Sequence, residues 1–140
     1  MKIIITERQY NLIEQDQELL KIPFDAFSND WNVLQKYLSR RGDPLYELVG
    51  DVDLAFRNIR TLGSLVRVIG NLDLREAPIR SLGYLEYVSG DLNLYDSLLE
   101  SFGELKFVGG GLVLKGAPIA KKYREYKIRS MINIGDAVFL

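Results

Sequence analysis

The chain has 140 residues, 47% hydrophobic and 26% charged, with a net charge of −1 and neither Cys nor His. A near-neutral balance gives no overall field toward nucleic acid or a membrane surface, and no apolar run reaches the roughly 20 residues that cross a bilayer. Without Cys and His there are no disulfides, no thiolate or imidazole metal ligands and no Ser-His or Cys-His pair, so chemistry would fall to carboxylates, Lys, Tyr or Ser.

Residues 1–48 read as a helical N-terminal cap. Lys2 to Ile5 reads as a short strand. Thr6 with Gln9 forms a capping-box pattern, and Tyr10, Ile13 and Leu20 predict a helix from Glu7 to Leu20. Pro23 ends that element. A second helix starts near Asn29 or Asp30, carries Trp31, Leu34, Tyr37 and Leu38 on one face, and stops at Gly42. Trp31 is expected in the core of the cap. The start, with one Lys and three consecutive Ile, is too short for a signal-peptide core, which points to a cytoplasmic location.

From residue 49 the chain repeats itself every 20 residues. "VGDVDL", "IGNLDL", "SGDLNL" and "GGGLVL" open four ungapped rows, the last of which drifts after Ile119. The apolar columns are Val52/Leu72/Leu92/Leu112, Leu54/Leu74/Leu94/Leu114, Ile59/Ile79/Leu99/Ile119, Leu62/Leu82/Phe102, Leu65/Leu85/Leu105 and Val68/Val88/Val108. A fixed period of this length predicts a β-solenoid, a parallel stack of four coils that bury one shared core. L-x-L alternates with period two and predicts the strand of each coil. Glycine before each strand, and again at 63, 83 and 103, marks the corners, and Pro78 and Pro118 stiffen the bend leaving the strand. The L-x-x-V step reads equally as an extended piece or a 3₁₀ turn. The glycines are not a phosphate loop, because no Gly-Lys-Ser/Thr follows "VGGG".

"LDLREAPIRSL" and "LNLYDSLLESF" resemble leucine-rich repeats, L-x-L-x-x-N-x-[IL]-x-x-L. The closer resemblance is to the short repeats of proteins from tailed bacteriophages and marine viruses, of the form GGDLDLxGTxIxSLPxxLxxV followed by a basic helix. It implies a leucine-rich-repeat-like binding scaffold, phage-encoded and acting in the host cytoplasm or within a virion. One departure is plain: the position of the leucine-rich-repeat Asn ladder holds Arg57, Ala77, Ser97 and Ala117, so a flatter stack is expected.

Residues 120–140 read as the C-terminal cap. Ala120 to Ile132 is helical by pattern, with Lys121, Lys122, Arg124, Lys127 and Arg129 on its exposed side; Ala137 to Leu140 reads as a closing strand. The whole chain is then one α+β domain: cap 1–48, repeats 49–119, cap 120–140. The strand face supplies the candidate partner site, in three outward columns: Asp51/Asn71/Asp91/Gly111, Asp53/Asp73/Asn93/Val113 and Ala55/Arg75/Tyr95/Lys115. The residues expected to contact a partner are Arg75, Tyr95, Asp53, Asp73, Asn93 and Lys115. The Asp and Asn columns read either as a polar rim or as solvated stacking positions. The secondary candidate is the basic helix, Lys121, Lys122, Arg124 and Lys127, which reads also as a solvated face; nucleic acid is not the expected partner. The expected function is a non-enzymatic protein-binding module directed at a host protein, with a structural virion component as the alternative. No catalytic residue, metal or cofactor is expected.

Overall fold

The computed structural model describes residues 19–140. The strand expected at Lys2–Ile5 and most of the helix expected at Glu7–Leu20 lie outside these. Among the described residues the strands are β1 (Leu20–Pro23), β2 (Tyr46–Val49), β3 (Val52–Asp53), β4 (Leu65–Ile69), β5 (Leu72–Asp73), β6 (Tyr87–Val88), β7 (Leu92–Asn93), β8 (Phe107–Val108), β9 (Leu112–Val113), β10 (Asn133–Ile134) and β11 (Val138–Phe139). The helices are a 3₁₀ turn at Phe24–Phe27, α1 (Trp31–Ser39), α2 (Ile119–Lys122) and α3 (Glu125–Met131).

Two parallel sheets result. The first has the order β1-β2-β4-β6-β8-β10 and the second β11-β9-β7-β5-β3. In the second sheet Val52, Leu72, Leu92 and Leu112 stand in one line, each paired with the residue 20 positions on. The L-x-x-V step is therefore extended: its residues form β4, β6 and β8 of the first sheet, with Arg67, Tyr87 and Phe107 in register. The six apolar columns are all buried, including Leu72, Leu74, Ile79, Leu82 and Leu85, and they join one core cluster.

The rows at the two ends are longer. Ile22 pairs with Leu48 and Leu112 with Val138, 26 positions on in each case. The extra residues make room for α1 at one end and for α2 and α3 at the other. Helix α1 begins where Asp30 accepts hydrogen bonds from the backbone N–H of Asn32 and Val33, at 3.0 and 3.2 Å. It buries Trp31, Leu34 and Leu38 against the core.

Two sequence expectations are corrected. Leu20 does not end a helix but begins β1, where Ile22 is buried between the exposed Lys21 and Pro23; parallel pairing with β2 overrides the local helical pattern. The C-terminal segment is not one helix. Tyr123 and Arg124 are extended, with φ/ψ of −130°/143° and −84°/163°, and separate α2 from α3. The reason is geometric. Ile119 and Ile128 are both buried, yet on a continuous helix nine residues at about 100° each would place them on opposite faces. Breaking the helix turns both inward.

Rows approach most closely at their corners. A Cβ on Gly90 would strike the Asn71 Oδ1 and the Gly70 carbonyl of the preceding row. Gly83 is the opposite case: its φ is +57°, and nothing stands within 4 Å of a Cβ there. Gly90→Ala should therefore destabilise by overpacking, by about 1–3 kcal/mol, whereas Gly83→Ala should cost only left-handed backbone strain, about 1–2 kcal/mol. Urea unfolding of both, with Gly83→Asn recovering stability and Gly90→Asn not, separates the two causes.

Tyr46 ties the N-terminal helix to the first row. Its buried hydroxyl donates to the Leu62 carbonyl at 3.0 Å and accepts from Gln35 Nε2 at 3.0 Å. Burial pushes its pKa well above the ordinary tyrosine value, with the Gln35 hydrogen bond opposing and Asp43 adding to the rise. The native state thus holds this proton more tightly than the unfolded chain. Its contribution is complete below the unfolded pKa of about 10 and is lost as pH rises above it toward the folded value. Tyr46→Phe should cost about 1 kcal/mol at neutral pH by removing the buried hydroxyl's bonds to the Leu62 carbonyl and Gln35; Leu62 keeps its bond from the Leu65 N–H. It should also show a shallower loss of stability than wild type in denaturant titrations from pH 9 to 12.

Candidate functional site

The outward face of the second sheet gathers the sequence-derived candidates, and two of its columns prove to be backbone fasteners. In the first column each side chain reaches the next row. Asp51 Oδ1 accepts from Asn71 N at 2.9 Å, Asn71 Oδ1 from Asp91 N at 2.7 Å, and Asp91 Oδ1 from Gly111 N at 2.8 Å. A staircase of Asx side chains thus links the rows. In the second column each side chain stays within its own row. Asp53, Asp73 and Asn93 accept from the backbone N–H of Ala55, Arg75 and Tyr95, at 3.0 to 3.1 Å. These Asx turns bend the chain out of the strand. Their spacing, Asp or Asn two residues before the bend, was present in the sequence and is the signal that distinguishes a fastener from a solvated rim.

The bend itself is left-handed. Phe56, Glu76, Asp96 and Gly116 occupy one position of successive rows with φ of 62°, 56°, 54° and 86°. Asp and Gly tolerate this conformation; a bulky aromatic does so at a cost of about 1–2 kcal/mol. Phe56 is nevertheless 65% exposed. Sequence reasoning passed over it, because nothing in the apolar columns marks position 56.

Arg75 lies between Phe56 and Tyr95 in the row order. Its Nε is 3.0 Å from both Asp73 carboxylate oxygens, its Nη2 is 2.8 Å from Oδ2, and its Cζ is 5.3 Å from the centre of the Phe56 ring. The hydrogen bond to Asp73, followed by that carboxylate's charge, raises its pKa further. The guanidinium is thus held in place with its charge balanced. Tyr95 is 39% exposed. The next residue of the column, Lys115, is exposed and has no ion pair among the described residues. Asp53, Asp73, Asn93 and Val113 continue to Phe139 of β11, so the column runs from charged to apolar. A groove of ≈ 280 Å³ at that apolar end is lined by residues including Asp91, Asn93, Val113, Asp136 and Phe139.

The secondary candidates sit elsewhere. Lys121, Lys122 and Arg124 line a groove of ≈ 470 Å³ with Tyr123, and Lys127 stands on α3 outside that lining. The first sheet carries a ladder that the sequence reading did not select: Glu47 and Arg67 lie 3.8 Å apart, Arg67 Cζ is 5.8 Å from the Tyr87 ring, and Tyr87 stacks on Phe107 at 4.8 Å and 10°. Glu47 is buried there, which marks this ladder as part of the packing. Among the described residues no group of three or more side chains is placed to hold a metal ion, and no helix is long and apolar enough to cross a membrane.

The staircase makes a stability prediction. Asn71→Ala removes the acceptor for Asp91 N–H and should cost about 1 kcal/mol in urea unfolding. Asn71→Asp keeps the acceptor but aligns three carboxylates about 4.8 Å apart, so its deficit should shrink as salt is added. Equal stability of wild type and Asn71→Ala at all salt concentrations would show that the staircase contributes nothing. No protein-family model, curated protein or solved structure matches the chain.

Proposed function

We propose that the chain is a leucine-rich-repeat-like β-solenoid that serves as a non-enzymatic protein-binding module, phage-encoded and directed at a host protein in the host cytoplasm. Its contact surface is the outward face of the second sheet, centred on Arg75 and Tyr95 and extended here to Phe56. The observation that carries the reading is the placement of Phe56, Arg75 and Tyr95 on three adjacent rows, the two aromatics exposed and Arg75 half-buried and held by Asp73. Aromatics and Arg dominate interface energetics, and an anchor that is already held in place loses little entropy on binding. An exposed Phe in the left-handed region carries a conformational cost against which the free chain sets only the Arg75 contact, and a partner's pocket would offset the rest. The 20-residue register of the sheets and the resemblance of the repeats support the scaffold reading. The phage origin rests on that resemblance alone.

Catalysis is the weaker reading. The chain has no His and no Cys. Asp53 and Asp73 are both engaged in accepting the N–H two residues on, and Asp73 is further committed to Arg75. The second reading is a structural virion component, favoured by the terminal strands β3 and β11, which end the second sheet with edges able to pair.

Wild type, Phe56→Ala, Arg75→Ala and Tyr95→Ala should be immobilised side by side and the proteins retained from host extract quantified by mass spectrometry. A partner held by wild type should bind each variant at least ~30-fold more weakly in follow-up titration, about 2 kcal/mol, with circular dichroism unchanged. Equal retention by all four baits would refute the face. Recovery of the chain in stoichiometric amounts from purified particles would favour the virion reading.

A further inference from the structure

We infer that the segment Ile119–Met131 holds a second binding site, one that takes single-stranded nucleic acid without regard to sequence. This site is independent of the sheet face and of the protein partner.

Three observations converge on it. The first is the break at Tyr123–Arg124. A continuous helix would spread the cations along its length. The break instead gathers Lys121, Lys122 and Arg124 around one groove of ≈ 470 Å³, which Glu125 also lines. The second is the fate of the counter-charge. Glu125 is the one carboxylate in this segment. It is committed to Arg129 at 2.9 Å, and Arg129 in turn donates to the carbonyls of Ile134 and Asp136, at 3.2 and 2.6 Å. Lys121, Lys122, Arg124 and Lys127 are all exposed and have no ion pair with any described residue. Their field is therefore local and positive although the chain as a whole is at −1.

The third observation is aromatic. Tyr126 is 75% exposed and stands between Arg124 and Lys127 in sequence. Tyr123 is half-buried against Phe102, with Lys122 Nζ 5.3 Å from the centre of its ring. One solvent-exposed ring, Tyr126, next in sequence to unpaired cations supplies both halves of single-strand recognition: the cations follow the phosphates and the ring stacks on a base. Duplex DNA fits less well, because α3 has seven residues and no base-reading side chains are arrayed along it. A membrane surface would require a broad apolar face, and here only Tyr126 and Met131 are exposed apolar side chains of α3.

The test uses the full chain and a fluorescein-labelled dT20 oligonucleotide, followed by fluorescence anisotropy between 20 and 200 mM NaCl. Binding should weaken with salt with a log–log slope of about −2 to −3, the release expected for three to four phosphate contacts on a single strand. The double variant Lys121→Glu/Lys122→Glu should abolish binding. Tyr126→Ala should weaken it about 10-fold at unchanged slope, and Tyr126→Phe should restore it. Circular dichroism of each variant confirms folding. The inference is overturned if dT20 fails to bind at 20 mM NaCl, or if Tyr126→Ala binds like wild type while heparin competes as well as unlabelled dT20, which would define a polyanion patch. It is equally overturned if phosphatidylserine vesicles bind and dT20 does not. Loss of dT20 binding on Arg75→Ala with the charge variants unaffected would place the site on the sheet face instead.

Discussion

The rows are held by a main-chain ladder longer than the two-residue strands β3, β5, β7 and β9: Val52, Leu54 and Phe56 donate to the carbonyls of Asn71, Asp73 and Arg75, and the pattern repeats in the following rows. The close approach of one corner to the next adds a second set of bonds. At Gly90 and Gly110 the chain passes so near the preceding Asx side chain that no Cβ fits. That proximity lets Asn71 and Asp91 reach the backbone N–H of the following row. Each row therefore makes bonds through both its main chain and its Asx side chain, and the apolar columns are brought into stacking distance as a consequence. Glycine and Asx act as one device: the missing Cβ makes room for the carbonyl oxygen that would otherwise lose its partner.

The same requirement shapes the ends. A row in the interior has neighbours on both sides, but a terminal row would leave its apolar side chains facing water. At both ends the row lengthens from 20 to 26 residues, and helix replaces a corner. Helix α1 lays Trp31, Leu34 and Leu38 over the core at the N-terminal side. At the other side Ile119, Ile128 and Ile132 do so from α2, from α3 and from the residue after it. The break between α2 and α3 that this packing demands also decides where the basic side chains go.

The repeat confers regularity, and the candidate sites are the places where regularity is broken. In the left-handed position Asp96 and Gly116 are ordinary residues, while Phe56 and Glu76 are not. In the third column Arg75 finds Asp73 on one side and the Phe56 ring on the other. At the C-terminal end, Glu125 leaves its neighbouring cations unpaired by binding Arg129. The chain thus carries an aromatic and Arg cluster on the sheet face and a cationic groove with an exposed Tyr at the far cap.

The sequence by itself determined the repeat period, the identity of the buried columns, the parallel register and a helix starting near Asn29 or Asp30. These follow from side-chain polarity at fixed spacing, a local property that any window of the chain displays. It located Arg75, Tyr95 and Lys115 on an outward column for the same reason. Only the tertiary structure decided the rest. Whether Asp51, Asn71 and Asp91 solvate or fasten depends on the distance to the next row, and that distance is set by glycine corners 20 residues away. Leu20 became a strand because β2 offers it a partner, and the C-terminal helix broke because Ile119 and Ile128 must both face one core. Phe56 carries no signal in its own neighbourhood; its exposure and its contact with Arg75 exist only because consecutive rows lie side by side. Polarity is written along the chain, whereas proximity between rows arises only once the chain has stacked.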